Sequence, residues 1–107
     1  MDNVHWDKYY TKNSKPFSPS DFALSMIKNL KVNSTLIDIG CGNGRDSLFF
    51  SQRKIKTVGI DQSKIAIENL KSFENKYLNF ENLNILDLNN KNFDYGYCRF
   101  LFHSINE

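Results

Sequence analysis

The sequence predicts an α/β fold: a doubly wound parallel sheet built from alternating strands and helices. Two observations support this prediction. Short apolar segments alternate with segments of helical periodicity between residues 19 and 101, which is typical of parallel sheets with right-handed crossovers. In addition, residues 36–50 read LIDIGCGNGRDSLFF, so an apolar strand leads through three alternating glycines into a helix.

The first predicted helix covers residues 19–30. Ser18 stands where its side chain can cap the helix, and Pro19 suits the first helical turn. Asp21 lies near the positive end of the helix dipole, where a carboxylate is favourable. The apolar face of this helix consists of Phe22, Leu24, Met26, Ile27 and Leu30.

Two strand–helix units follow. Thr35–Ile39 is the first predicted strand, and Arg45–Gln52 is the helix after the glycines. Thr57–Ile60 is the second predicted strand. Ser63 is predicted to cap a third helix that ends near Asn75, because apolar residues recur at helical spacing behind it.

The last two predicted strands are Leu83–Leu86 and Tyr95–Leu101, two short, mainly apolar runs. The 107 residues are expected to form a single domain, 1–107, of which residues 1–18 are an aromatic N-terminal segment. A fourth strand at the edge of the sheet would have unpaired backbone groups. We expect further C-terminal strands, or a second copy in a homo-oligomer, to cover that edge.

Composition excludes several classes of partner. The formal net charge of +2 gives no basic surface of the kind that binds nucleic acid. No apolar run approaches the ~20 residues that span a bilayer, and the N-terminus lacks the signal-peptide pattern. Two cysteines do not make a disulfide framework. We therefore expect a cytoplasmic protein without nucleic-acid or membrane partners.

The glycine turn indicates the kind of ligand. Gly40, Gly42 and Gly44 allow a tight turn and a close approach to a ligand, and the helix N-terminus behind them favours an anionic group. The dinucleotide fingerprint would need a glycine at Arg45, which disfavours a nicotinamide-dependent oxidoreductase, and no Gly-Lys-Ser/Thr sequence of a P-loop is present. With Asp38 before the turn, the pattern suits a ligand that carries both an ammonium and a carboxylate.

Two further acids extend this interpretation. Asp61 ends the second predicted strand, 23 positions after Asp38, close to the separation of about 20 residues at which an acid holds a ribose. Its carboxylate can accept from both ribose hydroxyls. Asp87 follows the run Leu83–Leu86 and is placed to accept from an exocyclic amine. An amino-acid end, a ribose and an adenine together describe S-adenosylmethionine.

On these residues the chain resembles class I S-adenosylmethionine-dependent methyltransferases. Residues 38–44 match the first motif of that family, residues 59–61 the second, and Asp87 the acid after the third strand. The resemblance implies a Rossmann-like sheet with strand order 3-2-1-4-5-7-6, of which this chain covers the part up to about strand four, so an incomplete domain is expected. Residues 44–47 and 99–103 are similar to bacterial methyltransferases of small molecules and surface polysaccharides.

The resemblance also implies roles for individual residues. The cofactor S-adenosylmethionine is expected to contact Asp38, Gly40, Cys41, Gly42, Asn43, Gly44, Asp61, Gln62 and Asp87. Trp6 and Tyr10 are expected either to cover the sulfonium with an aromatic face or to pack as an apolar N-terminal segment.

Two residues near the fourth strand are candidates for the acceptor side. His103 is the candidate base, because its ordinary pKa lies near neutrality, although a lone histidine is also a common surface residue. Arg99 suits an anionic acceptor or, alternatively, an ion pair with an acid such as Asp38 or Asp46. No metal site is expected.

The predicted function is methyl transfer to a small molecule or surface-glycan sugar, with oxygen as the methylated atom. The fourth-strand region lacks the Asp/Asn-Pro-Pro-aromatic sequence that resembles DNA amino-methyltransferases, which disfavours DNA as the acceptor. The alternative is a non-catalytic module that binds the cofactor or assembles with a partner without turnover.

Overall fold

The computed structural model of the protein describes residues 18–87, 92–98 and 101–104. These residues contain a five-stranded sheet with the order β3-β2-β1-β4-β5. The strands are β1 (Thr35–Ile39), β2 (Lys56–Asp61), β3 (Leu78–Asn82), β4 (Tyr95–Cys98) and β5 (Leu101–Ser104). The α-helices are α1 (Asp21–Met26), α2 (Arg45–Gln52) and α3 (Lys64–Leu70). Short 3-10 helices cover Ile27–Asn29, Lys71–Phe73 and Ile85–Asp87.

The topology confirms the predicted α/β fold. β1, β2, β3 and β4 are parallel, and the chain runs outward from β1 to β3 before it returns to the other side of β1. Asp38 of β1 lies level with Gly59 of β2 and with Tyr97 of β4. The winding direction therefore reverses between β1 and β4. In open α/β sheets the crevice at the carboxyl ends of such a strand pair is the usual ligand site.

The α-helices pack on one face of the sheet. One cluster joins α1 and α2 to the sheet, and its buried members are Ala23, Leu36, Phe49, Phe50, Ile55 and Tyr97. A second cluster joins α3 to β3 through Cys41, Ile67, Leu70, Leu78 and Phe80. The other face carries a smaller buried cluster of Ile37, Ile60 and Phe93. None of the helices described here has the length and apolar character needed to cross a membrane.

Some helix and strand bounds agree with the sequence prediction, but α1 is shorter than the predicted helix 19–30, and α3 ends at Leu70 and not near Asn75. β1 and α2 have the predicted ends, and Ser63 caps α3 as expected by accepting from the Ala66 N–H. At α1, however, the cap is Ser20 and not Ser18. The Ser20 side chain accepts from the Ala23 N–H at 3.2 Å, while its own N–H donates to Asp46 at 2.8 Å. This contact with α2 fixes the start of α1.

The predicted third strand was wrong. β3 is Leu78–Asn82, whereas Leu83–Leu86 lies in the loop and 3-10 helix that follow. In β3 only Leu78 and Phe80 are buried, and they alternate with more exposed polar residues. This is the period-two pattern of a strand with one buried face, and it is less conspicuous in the sequence than the run Leu83–Leu86.

The predicted fourth strand and the open edge were also wrong. β4 ends at Cys98, and Leu101 begins the separate strand β5, which is antiparallel to β4. β4 is therefore paired on both sides, with β1 and with β5. A further strand or a second copy would have to pair at the outer edge of β5.

The outer edge of β3 is covered by two side chains from the segment after α3. Glu74 accepts from the Phe80 N–H at 2.8 Å, and the Lys71 ammonium donates to the Phe80 carbonyl. The two side chains also form an ion pair at 3.4 Å. They therefore occupy backbone groups of an edge strand that would otherwise be available to another strand.

We expect Glu74→Ala to lower the free energy of unfolding by about 1 kcal/mol and to promote self-association through β3. Sedimentation velocity across a concentration series measures the second effect. The matched control is Glu68→Ala, because Glu68 has only an exposed ion pair with Lys64 at 3.8 Å. Equal behaviour of the two variants would contradict edge protection by Glu74.

Candidate functional site

The glycine turn follows β1 and is tied to the end of β2. Gly40, Gly42 and Gly44 have φ values of +71°, +59° and +78°, in the left-handed region that favours glycine. The N–H groups of Gly40 and Cys41 both donate to the Ile60 carbonyl at 2.9 Å, and the Gly44 N–H donates to the Cys41 carbonyl at 2.9 Å. The turn therefore lies at the carboxyl edge of the sheet, as the sequence predicts.

Two of these glycines face different surroundings. A Cβ atom added to Gly44 would lie 2.8 Å from Leu70 Cδ2 and 3.3 Å from Phe80 Cζ, whereas one added to Gly40 would meet nothing within 4 Å. Gly44 is thus required for packing between the turn, α3 and β3. Gly40 is exposed and leaves room for a molecule to lie directly on the backbone.

The Asp61 carboxylate stands beside the turn. Its Oδ2 accepts from the Gly42 N–H at 3.0 Å, and its Oδ1 accepts from the Ser63 N–H at 2.8 Å. The residue is half-buried. Because each carboxylate oxygen has two lone pairs, both oxygens keep capacity to accept from another donor. Gln62, the next residue, is exposed at the same edge.

Asp38 is more enclosed than the sequence suggests. Only 3% of its surface is exposed, and its Oδ2 accepts from the Ser47 hydroxyl at 2.6 Å. Ser47 lies in the first turn of α2 and is fully buried. Asp38 therefore joins the end of β1 to α2, next to the glycine turn, and its contact with an ammonium group stays a prediction.

Cys41 lies inside the turn and is buried. Burial raises the pKa of its thiol well above the ordinary value, and the neighbouring carboxylates of Asp38 and Asp61 raise this pKa further. The thiol is therefore neutral at physiological pH and is a poor nucleophile. Its side chain belongs to the buried cluster that also contains Leu70 and Phe80.

Asp46 is a buried carboxylate whose hydrogen bonds the sequence does not predict. Its Oδ1 accepts from the Ser20 N–H, and its Oδ2 accepts from the Ser20 hydroxyl at 2.7 Å and the Tyr97 hydroxyl at 2.8 Å. Only 5% of Asp46 is exposed. The three hydrogen bonds join α1, α2 and β4 behind the site. The bonded residues are 26 and 51 positions apart in the sequence, so no local sequence pattern predicts these contacts.

The predicted adenine contact, Asp87, lies farther from the strand end than expected. It is exposed and ends the 3-10 helix Ile85–Asp87. Asn84 is nearer to β3 and is half-buried. Its Oδ1 accepts from the Leu86 N–H at 3.0 Å, and its carbonyl accepts from the Asp87 N–H at 2.8 Å. Asn84 is therefore a second polar candidate at this end of β3, and the role of Asp87 stays a prediction.

The structure describes only some of the residues that were predicted to face the methyl acceptor or to cover the sulfonium. Trp6, Tyr10 and Arg99 lie outside the described residues. His103 belongs to β5, where its Cα pairs with Gly96, and Gly96 in turn pairs with Ile37 of β1. His103 is thus within an antiparallel strand and not beyond the end of the fourth strand. In the ranges given above, no group of histidine, cysteine and acidic residues has the arrangement of a metal site.

Comparison with solved structures supports the fold. The chain is 18% identical to the 1,6-didemethyltoxoflavin-N1-methyltransferase of Burkholderia thailandensis, solved with 1,6-didemethyltoxoflavin and S-adenosylhomocysteine (SAH); the TM-score is 0.60, over 70% of this chain and 34% of that one. It is 17% identical to YjhP of E. coli, with a TM-score of 0.65 over 92% of this chain and 44% of that one.

A third similar structure is the plantazolicin methyltransferase BpumL in complex with SAH. The identity is 25%, with a TM-score of 0.54 over 72% of this chain and 31% of that one. The chain thus spans between 31% and 44% of the length of these three proteins. No curated protein matches the sequence.

The family itself is shown by a match to most of the chain. The profile described as "Methyltransferase domain" matches residues 30–106. These residues include β1, the glycine turn and Asp61. The strand order β3-β2-β1-β4 also agrees with the class I arrangement that the sequence resembles. The chain therefore belongs to the family of methyltransferase domains.

Proposed function

We propose that this chain binds S-adenosylmethionine and takes part in methyl transfer to a small molecule or a surface-glycan sugar, with oxygen as the methylated atom. We further propose that it does so in the cytoplasm of a bacterium. Membership of the methyltransferase domain family supports the reaction. The complex of the 25% identical plantazolicin methyltransferase with SAH supports the cofactor.

One observation carries the proposal: an open glycine and a fixed carboxylate share one edge of the sheet. Gly40 has free space above its backbone, and Asp61 is held beside the same turn by the Gly42 N–H. This edge lies where the winding of the sheet reverses, next to the end of β1. This is the position at which α/β sheets hold nucleotide-like ligands, so the residues present fit the cofactor.

The proposed contacts follow the three parts of the cofactor. The methionine end would lie on the turn, against Asp38, Gly40, Cys41, Gly42, Asn43 and Gly44. Asp61 would accept from the ribose hydroxyls, with Gln62 beside it, and Asp87 would accept from the adenine amine. Trp6 and Tyr10 are proposed to cover the sulfonium.

The residues that would serve the methyl acceptor are proposed from the chemical requirements of methyl transfer. S-adenosylmethionine supplies a methyl group on a good leaving group, so the protein mainly contributes proximity and orientation. A hydroxyl acceptor benefits from a general base, for which we propose His103, and Arg99 would bind an anionic part of the acceptor. The other candidate function is cofactor binding without turnover.

Two measurements test the proposal. Isothermal titration with SAH should give saturable binding to the folded chain. Transfer of a labelled methyl group from S-adenosylmethionine to a pool of small-molecule and glycan acceptors should then give a labelled product. Binding without any product would favour the non-catalytic module, and absence of binding would overturn both functions.

We expect Gly40→Ala to weaken SAH binding about 10- to 100-fold, because the added methyl group takes space next to the ligand at a cost of about 1–3 kcal/mol. The same change should cost about 1 kcal/mol of stability, because φ is positive there. Isothermal titration and urea unfolding measure the two effects.

The matched control for this variant is Asn33→Ala. Asn33 also has a positive φ, +67°, but it precedes β1 and so lies at the opposite edge of the sheet. We expect a similar loss of stability and unchanged SAH affinity. If both variants lose affinity equally, the effect of Gly40→Ala is one of general destabilisation and the turn does not contact the ligand.

A further inference from the structure

The Asp61 carboxylate joins two elements that the ligand site needs. Its Oδ2 accepts from the Gly42 N–H at 3.0 Å, and its Oδ1 accepts from the Ser63 N–H at 2.8 Å. Gly42 is the middle glycine of the turn, whereas Ser63 is the N-cap of α3. The side chain of one strand-end residue therefore fixes the turn relative to the start of a helix.

The turn depends on this carboxylate for one of its anchors. The Gly40 and Cys41 N–H groups share the Ile60 carbonyl, and the Gly42 N–H is the third consecutive donor directed at the end of β2. Gly42 is buried and has a φ of +59°. Without the Asp61 carboxylate its N–H would be buried without this acceptor, which is unfavourable.

We propose that Asp61 is a positioning residue, which sets the conformation of the glycine turn before the ligand binds and so couples the ribose end of the ligand to its amino-acid end. The inference rests on the proposed function, in which the turn holds the amino-acid end. Each oxygen of Asp61 has a lone pair left for a ribose hydroxyl. A bound ribose therefore meets a carboxylate that is already aligned by the turn.

Asp61→Asn separates the two roles when two ligands are compared. SAH contains the nucleoside and the amino-acid tail, whereas 5′-methylthioadenosine has the same nucleoside without that tail. An asparagine amide keeps one acceptor oxygen but turns an NH₂ group toward one of the two N–H donors. A residue that only contacts ribose would reduce both affinities by one factor. Positioning of the turn predicts an additional loss of about tenfold for SAH.

A second measurement needs no ligand. In the free protein the Gly42 amide should exchange its hydrogen about tenfold faster or more in Asp61→Ala than in the wild type, because the alanine side chain offers no acceptor to the Gly42 N–H. NMR-detected hydrogen exchange resolves this single amide.

The matched control is Asp94→Asn. The Asp94 carboxylate also accepts from a backbone N–H, that of Thr35 at 2.9 Å, but at the start of β1. This variant should leave the ratio of SAH to 5′-methylthioadenosine affinity and the Gly42 exchange rate unchanged.

The outcomes distinguish this inference from the proposed function. Equal losses for the two ligands in Asp61→Asn, or an unchanged Gly42 exchange rate in Asp61→Ala, would overturn the positioning role. If the wild type binds neither ligand, the proposed function fails. The Gly42 exchange rate then still decides whether Asp61 sets the turn.

Discussion

Gly44→Ala is expected to lower the free energy of unfolding by about 3 kcal/mol, the combined effect of left-handed strain and overpacking. The φ of Gly44 is +78°, and its added Cβ would lie 2.8 and 2.9 Å from the two methyl carbons of Leu70. Phe80 closes the third side at 3.3 Å. Both side chains are buried, so neither can move aside without disturbing the packing of α3 on β3.

Urea unfolding followed by circular dichroism measures this loss, with Gly40→Ala as the reference. Gly40 has a similar φ, +71°, but no atom within 4 Å of an added Cβ. The difference between the two variants therefore isolates the steric part, about 1–3 kcal/mol. Equal losses would show that Leu70 and Phe80 give way at no cost, and would contradict the packing role of Gly44.

A second change tests the identity of the clash. Leu70→Val shortens the side chain that meets the added methyl group, so it should offset part of the Gly44→Ala loss. We expect the double variant to be more stable than the sum of the single effects predicts, by about 1 kcal/mol. If the two single effects add strictly, the methyl group added at Gly44 does not clash with Leu70.

These glycines illustrate why the first part of the fold can be predicted from the sequence. The segment from β1 to α2 combines an apolar strand, obligatory positive-φ positions and a helix in consecutive residues, so local chemistry specifies it. The cap at Ser63 is equally local. β3 could not be read in the same way, because it is an edge strand with only Leu78 and Phe80 buried. Its extended state depends on pairing with β2.

The end of the sheet and part of the site depend on contacts that are distant in sequence. Only Arg99 and Phe100 stand between Cys98 and Leu101, with no glycine, proline or asparagine to indicate a turn, so the antiparallel β5 was not predicted. Asp61 was predicted as a ribose ligand from its spacing. Its hydrogen bond to Gly42 spans 19 positions and needs the structure to be seen. The N-cap of α1 is a similar case. Ser20 caps this helix because its N–H and hydroxyl donate to Asp46, which lies 26 positions away in the sequence.

Asp46→Ala is expected to lower the free energy of unfolding by about 4 kcal/mol, because it leaves three buried donors without their charged acceptor. The donors are the N–H and hydroxyl of Ser20 and the hydroxyl of Tyr97. A domain of this size has about 5–15 kcal/mol of stability, so Asp46→Asn is the milder companion variant. It keeps the size of the side chain and one acceptor oxygen, and about half of the loss is expected.

Tyr97→Phe tests the same network from the strand side and adds a dependence on pH. Burial raises the pKa of the Tyr97 hydroxyl above its ordinary value, and Asp46 raises this pKa further, against a lowering by the Ser20 hydrogen bond. Since the pKa in the unfolded chain is about 10, the contribution of the neutral hydroxyl is complete below about pH 10 and falls as the pH rises above it.

The wild type should therefore exceed Tyr97→Phe by about 1–2 kcal/mol at pH 8, and this difference should shrink in urea titrations at pH 10.5 and 11. The other tyrosines ionise equally in both proteins, so they do not contribute to the difference. A constant difference across this range would mean that the Tyr97 hydroxyl ionises as easily in the folded chain as in the unfolded one. That result would contradict the buried position of the Tyr97 hydroxyl between Asp46 and Ser20.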